Sequence, residues 1–324
     1  MEMGIEPKTT KHDRKVPELS LNSYIQGSEL DRTRFIDDFF VGLKDYGFIV
    51  LKDHPIPDEL LNKAYELVQE VFSLPTQTKM KYALKENGFQ RGYTPFGQEH
   101  AKDSPVMDLK EFWHIGRDLE SGHRYAGVYP ANVWPAEVPE FQQVLSKIYR
   151  SLDQTGKIML EALTFPLELP KDFFSKIVSD GNSILRLLHY PPIPEGVDKR
   201  CLRAAPHEDI NLITILVSAT SSGLQLKDRD GSWLPIESDP NSLIVDAGDM
   251  LARITNDVIP STTHQVVNPE GENKARYSMP YFIHPNPDAM LTCLPSCRGA
   301  GEKYPPITSQ DFLFQRLREI GLMK

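Results

Sequence analysis

In the stretch APHEDINLITIL, residues 205–216, a histidine and an aspartate stand two positions apart at the head of an apolar run. Residues two apart on an extended chain point the same way. His207 and Asp209 can therefore present an imidazole nitrogen and a carboxylate oxygen together, with Glu208 turned aside. A third ligand has to come from elsewhere, and His264, at the head of a further β-like run 55 positions after Asp209, supplies one. Two imidazoles and one carboxylate suit a divalent transition metal, and three ligands on one side leave its other positions open.

A lone H-x-D triplet is a common accident in a chain with nine histidines. His12, His54, His100, His114, His123, His189 and His284 have no such partner in their local sequence and read as surface or structural side chains. A second pair strengthens the first. Arg276 and Ser278, in ARYSMPYF, share a face twelve residues past His264 and offer a guanidinium fork and a hydroxyl to one carboxylate. The neighbouring Tyr277, Met279, Tyr281 and Phe282 mark a buried strand, where an unpaired guanidinium is costly. An anionic ligand is the simpler expectation.

Composition narrows the function classes. The 324 residues carry 36 basic and 45 acidic side chains, a formal charge of −9, and no long basic run, which argues against nucleic acid or an anionic membrane as partner. A small molecule is the expected partner, and no obligate protein partner is evident. No segment approaches the roughly 20 apolar residues of a membrane span, and the first twenty residues are polar. Cys201, Cys293 and Cys297 are odd in number and unpaired in spacing, which fits a reducing cytoplasm. There is no G-x-G-x-x-G fingerprint, P-loop or G-x-S-x-G elbow.

The elements that must position these residues follow from periodicity. Phe35, Ile36, Phe39, Phe40 and Leu43 recur at helical spacing before Gly47; FIVL then reads as a strand, and a second helix runs from Asp58 to Pro75. The longest helix is expected after Pro139. A polar segment from Glu86 to Pro105 is too long for a mere connector. From Ile184 the pattern turns extended, in seven short runs: ILRLLHY, NLITILVSA, GLQLKD, SWLPIES, SLIVDAGDMLARIT, THQVVN and ARYSMPYFIH. Such runs, divided by turns, predict a sandwich, barrel or jelly roll.

The order H-x-D, about fifty residues, H, about ten residues, R-x-S resembles the iron(II)/2-oxoglutarate-dependent oxygenases, and specifically their isopenicillin N synthase-like branch. GFIVLKDHPIP, VFSLPTQTKMKY, GFQRGYTPFGQE, DLKEFWHIG, DAGDMLARITND and HQVVNPEGENKARYSMPYFIHP keep that branch's order, so the resemblance spans nearly the whole chain. HEDINLIT looks like bacterial members, whereas Leu188, Gln265, Asp246 and Asp257 depart from the plant pattern.

The resemblance implies a mainly β protein, a double-stranded β-helix (jelly-roll) core at 181–290. A helical amino-terminal region (1–120), a long helical support (121–180) and a carboxy-terminal helix (291–324) would surround it. Iron(II) would be held by His207, Asp209 and His264, and 2-oxoglutarate received by Arg276 and Ser278 with the Tyr190 hydroxyl in reach. With O2 as third reactant, a small molecule would be hydroxylated, desaturated or cyclised, releasing succinate and CO2. Arg91, Tyr93 and Phe96 are expected to line its pocket from the amino-terminal side and Phe282 from the core.

Other readings stay open on the sequence. Isopenicillin N synthase and 1-aminocyclopropane-1-carboxylate oxidase use the same R-x-S for other anions and need no 2-oxoglutarate. A zinc hydrolase would require a general base, for which Glu208 is the local candidate. A non-catalytic metal-binding barrel is disfavoured by the intact ligands together with Arg276 and Ser278.

Overall fold

The computed structural model describes residues 14–99 and 106–319. Strand β1 (Glu18–Ser20) and a short helix α1 (Leu21–Ile25) lead into helix α2 (Glu29–Tyr46). Helix α2 starts where its sequence dictates. The Ser28 hydroxyl accepts from the Asp31 N–H while the Asp31 carboxylate accepts from the Ser28 N–H, closing a capping box. It ends at Gly47, whose φ of 72° takes the left-handed turn. A Cβ at Gly47 would collide with the Thr262 hydroxyl, so the amino-terminal helix ends directly against the segment that carries His264.

Strand β2 (Phe48–Lys52), helix α3 (Asp58–Ser73), helix α4 (Thr76–Lys79), β3 (Gly92–Thr94) and β4 (Glu111–Gly116) follow. Helix α5 (Phe141–Thr164) is the longest, and α6 (Phe173–Val178) closes the helical region. Leu145, Ile148, Leu152, Met159 and Leu163 form the buried stripe of α5. Then come β5 (Ile184–Tyr190), β6 (Ala204–His207), β7 (Ile213–Val217), β8 (Leu224–Lys227), β9 (Trp233–Pro235) and β10 (Leu243–Ala247). Helix α7 (Asp249–Ile254), β11 (His264–Val266), β12 (Arg276–Ile283), a hairpin of β13 (Met290–Leu291) and β14 (Ile307–Thr308), and α8 (Ser309–Glu319) complete the order.

Two sheets face each other. The larger runs β1-β2-β10-β7-β12-β5-β4-β3 and the smaller β6-β11-β8-β9, every pair antiparallel except β1 with β2. This is the expected double-stranded β-helix with flanking helices. Strands from the amino-terminal region, β1 to β4, build both ends of the large sheet.

Alternation along each strand separates two cores. On β12, Met279, Tyr281 and Ile283 join the core under α2, α3 and α5. Between the sheets lies a second apolar cluster that includes Phe48, Val50, Leu188, Tyr190, Ile244 and Val266. Arg276, Ser278 and Phe282 share the parity of this inner face.

Two local expectations are corrected. DMLARI, read as part of an extended run, is the helix α7, with Gly248 as its N-cap and Asp249 in its first turn. Strand β6 ends at His207, so Asp209 sits in the following turn. Its carboxylate reaches the histidine by that turn and by the Asp249 N–H, which donates to the Asp209 carbonyl at 2.7 Å.

Candidate functional site

His207 closes β6 and His264 opens β11, and the two are direct partners across the small sheet. Asp209 Oδ1 lies 3.9 Å from His207 Nε2 and 3.8 Å from His264 Nε2. One atom from each residue falls within 4.8 Å of the others, and among the described residues these three alone form such a group.

The imidazoles are oriented by their other nitrogens. His207 Nδ1 meets the Ala205 carbonyl at 2.7 Å and His264 Nδ1 the Thr262 carbonyl at 3.1 Å. With those nitrogens donating, each Nε2 keeps its lone pair toward the shared point. Burial, then His264, pushes His207 down to about 4, so its ring is neutral. A buried carboxylate facing two imidazole nitrogens is a donor set that fits a divalent cation.

Further side chains hold the carboxylate. The Thr214 hydroxyl donates to Asp209 Oδ2, and Asn211 Nδ2 donates to the Thr214 oxygen at 2.9 Å. Oδ1 is left for the shared point. The Thr263 hydroxyl donates to Glu208, tying the segments of the two histidines together. Glu208 thus serves a structural link. Burial, then the Asp209 carboxylate, raises Asp246 well above the ordinary carboxylate range.

Arg276 is 2% exposed on the inner face. Its Nε donates to the Ser221 carbonyl at 3.0 Å, one terminal nitrogen to Ser278 Oγ at 3.3 Å, and its guanidinium lies 5.0 Å from the Tyr190 ring centre. Among the described residues no carboxylate pairs with it. A buried, fixed, unneutralised guanidinium beside a hydroxyl is a receptor for a carboxylate. Arg276 and Ser278 share a face as their spacing predicts, and Tyr190, named by the resemblance, is the strand partner of Arg276.

The residues expected to line the substrate pocket divide. Phe282 is on the inner face, and its strand partner is Thr214, which holds Asp209. Strand parity turns Tyr93 away from the metal triad, and Arg91, which precedes β3, is held by other partners. Tyr93 pairs with Trp113 on the helix-packed face and donates to Glu111. Arg91 is fully buried beneath Gly116, donating to Asn182 at 2.7 Å, and burial pushes it down to about 10. Phe96 is half-buried in the turn after β3.

Sequence reading passed over Asn211 and Thr214, although both lie in the quoted stretch, and Arg186 and His114, which belong to the inner face through β5 and β4. His114 is no isolated structural ring: its Nε2 accepts from Arg186 Nε at 2.7 Å. The usable signal was period-two counting back from Tyr190 to Arg186. The carboxy-terminal helix α8 reaches this end of the barrel, where Arg316 pairs with Asp249 at 2.9 Å. His12 and His100 lie outside the described residues, as does the end of the polar segment, residues 100–105.

Residues 16–137 match the family described as non-haem dioxygenase in morphine synthesis N-terminal, and residues 181–285 match the 2OG-Fe(II) oxygenase superfamily. A 2-oxoglutarate-Fe(II) type oxidoreductase of Emericella nidulans is 34% identical over 281 residues, 82% of this chain and 79% of that one. A 2OG-Fe(II) oxygenase family protein from Caulobacter crescentus is 46% identical, with a TM-score of 0.85 over 94% of this chain and 98% of that one. A Neurospora crassa protein, solved in complex with alpha-KG and thymine, is 29% identical, with a TM-score of 0.85 over 95% of this chain and 98% of that one.

Proposed function

Since the chain belongs to the 2OG-Fe(II) oxygenase superfamily, we propose that His207, Asp209 and His264 are its iron ligands and that Arg276, Ser278 and Tyr190 receive 2-oxoglutarate. The protein is an enzyme that uses iron(II) and 2-oxoglutarate to oxidise a small molecule. Membership of this class removes the zinc-hydrolase and binding-barrel readings. The observation that carries the assignment is the pairing, on one inner face, of a three-ligand cluster with a buried guanidinium lacking any carboxylate partner among the described residues.

When bound, iron(II) and 2-oxoglutarate supply the oxidising chemistry, consuming O2 and yielding succinate, CO2 and oxidised substrate. The chain supplies the rest. Two Nε2 atoms and Asp209 Oδ1 bind the metal, Thr214 fixes which carboxylate oxygen is free, and Arg276 anchors the far end of the cosubstrate. Phe48, Ile244 and Val266 keep the space between the sheets dry.

The order H-x-D, H, R-x-S supports the isopenicillin N synthase-like branch, and the 46% identical Caulobacter crescentus protein supports a bacterial-type member. Three buried free cysteines support a reducing, cytoplasmic setting. Among the described residues no helix is long and apolar enough to cross a membrane.

The test is an anaerobic titration of the iron(II)-loaded protein with 2-oxoglutarate, read by the visible metal-to-ligand charge-transfer band. The band should appear in the parent protein and be lost or strongly right-shifted in Arg276→Ala. An equal response in both proteins overturns the Arg276 assignment.

A further inference from the structure

Arg276 does not stand alone at its end of the molecule. Arg203, directly ahead of β6, is likewise 2% exposed. Its place in the chain is fixed on both sides: the Leu109 N–H donates to the Leu202 carbonyl at 2.9 Å, and the Ala205 N–H donates to Asp108 Oδ1 at 3.0 Å. The next residue, Ala204, pairs with Val266, and both belong to the apolar cluster between the sheets. One terminal nitrogen of Arg203 donates to the Lys274 carbonyl, two residues before Arg276. The Arg203 guanidinium is thus anchored on the segment that delivers Arg276 to β12.

Neither guanidinium is matched by a carboxylate among the described residues. Elsewhere the molecule pairs its buried arginines, Arg186 with Glu99 and Arg117 with Asp153, each at 3.2 Å. Arg91, which has no ion pair among the described residues, still feels the Asp118 carboxylate. At Arg203 the acting charge is another cation: burial, then Arg276, holds it below its usual value, with the Tyr190 hydroxyl acting the other way.

Donor capacity is left over as well. Arg203 Nε is buried with no hydrogen-bond partner among the described residues. The bond to Lys274 does not account for the charge, since a single neutral donor would hold one backbone carbonyl. A guanidinium cannot relieve the strain by losing its proton. Two buried like charges within reach of each other raise the energy of the empty site, and an anion that meets both lowers it.

We propose that Arg203 is a second guanidinium of the cosubstrate site, acting with Arg276 to neutralise the far carboxylate of 2-oxoglutarate. The assignment rests on the oxygenase reading above and adds a residue to it. Its consequence is selectivity: a metal-chelating acid without a far carboxylate leaves both charges uncompensated.

The test uses the full chain loaded with iron(II), without oxygen. 2-Oxoglutarate is titrated by its charge-transfer band, and oxalate, which chelates iron(II) but has no far carboxylate, by calorimetry. Arg203→Gln should raise the 2-oxoglutarate dissociation constant fivefold or more and leave that of oxalate within twofold. Arg203→Lys keeps the charge but loses the fork, so its loss should be smaller than that of Arg203→Gln. If Arg203→Gln does not fold, Arg203→Lys carries the test, with a threefold or larger loss for 2-oxoglutarate and none for oxalate. A smaller loss than these, or one shared equally by oxalate, overturns the proposal and leaves Arg203 as a support for the Lys274 segment, with the oxygenase reading intact. A parent protein without the 2-oxoglutarate band overturns both.

Discussion

Thr214 donates its hydroxyl proton to Asp209 Oδ2 from the strand position that faces Phe282. One hydrogen bond therefore selects the free oxygen of the carboxylate and ties the metal cluster to the inner-face row that carries Phe282. Removing it should matter to the metal before it matters to the fold. Thr214→Val is expected to raise the iron(II) dissociation constant by about 10–100-fold, the usual effect of losing such a supporting bond, and Thr214→Ser to restore it. Metal titration by calorimetry checks this; equal affinity in all three proteins would remove Thr214 from the site.

The ligands themselves should behave as a set. His207→Ala, Asp209→Ala and His264→Ala should each abolish stoichiometric iron(II) binding and succinate release while the far-ultraviolet dichroism stays that of the parent. A folded variant that keeps full turnover contradicts the ligand assignment.

Arg276→Ala removes a charge-assisted pair to the cosubstrate, an interaction of about 1.5–3 kcal/mol, so the 2-oxoglutarate dissociation constant should rise by roughly 10–100-fold. Ser278→Ala should cost less, since a neutral hydroxyl contributes about 1 kcal/mol. Iron(II) affinity without 2-oxoglutarate should move in neither.

Stability should fall on acidification from neutral pH. Burial lowers His114 well below its usual value and lowers His207 and His284 to about 4, so each imidazole stays neutral in the fold. Below pH 6.5 the unfolded chain takes up protons that the folded chain refuses, and stability drops by at most about 1.4 kcal/mol per pH unit for each histidine. The loss is progressive from 6.5 and ends, for His207 and His284, near pH 4. Urea unfolding of the metal-free protein at pH 8, 7, 6 and 5 reads the slope, and His114→Gln should lessen it.

Gly47→Ala tests the junction between the amino-terminal helix and the His264 segment. Its φ of 72° disfavours a side chain, by about 1 kcal/mol, and its Cβ would press on Thr262, whose carbonyl orients His264. Reduced stability together with weakened iron(II) binding is expected; a change in stability alone would show that the strain is absorbed away from Thr262.

By itself the sequence pointed to the proposed ligand triad, to helices α2, α3 and α5, and to the shared face of Arg276 and Ser278. The helices and the shared face depend on spacing among nearly consecutive residues: period two on β12, helical period on α2, α3 and α5, and a terminal glycine after α2. Only the tertiary structure decided which face of each strand met the metal. Tyr93 turns toward the helices because β3 enters the sheet with Thr94 inward, a parity set by pairing with β4. Arg186 joins Glu99 across 87 positions, and Asp209 leaves its strand to meet a histidine on another. DMLARI becomes a helix because Gly248 packs against the Asn211 carbonyl and begins a new turn there. Contacts between distant segments, and the buried charges they neutralise or leave exposed to a ligand, arise only when the two sheets close on each other.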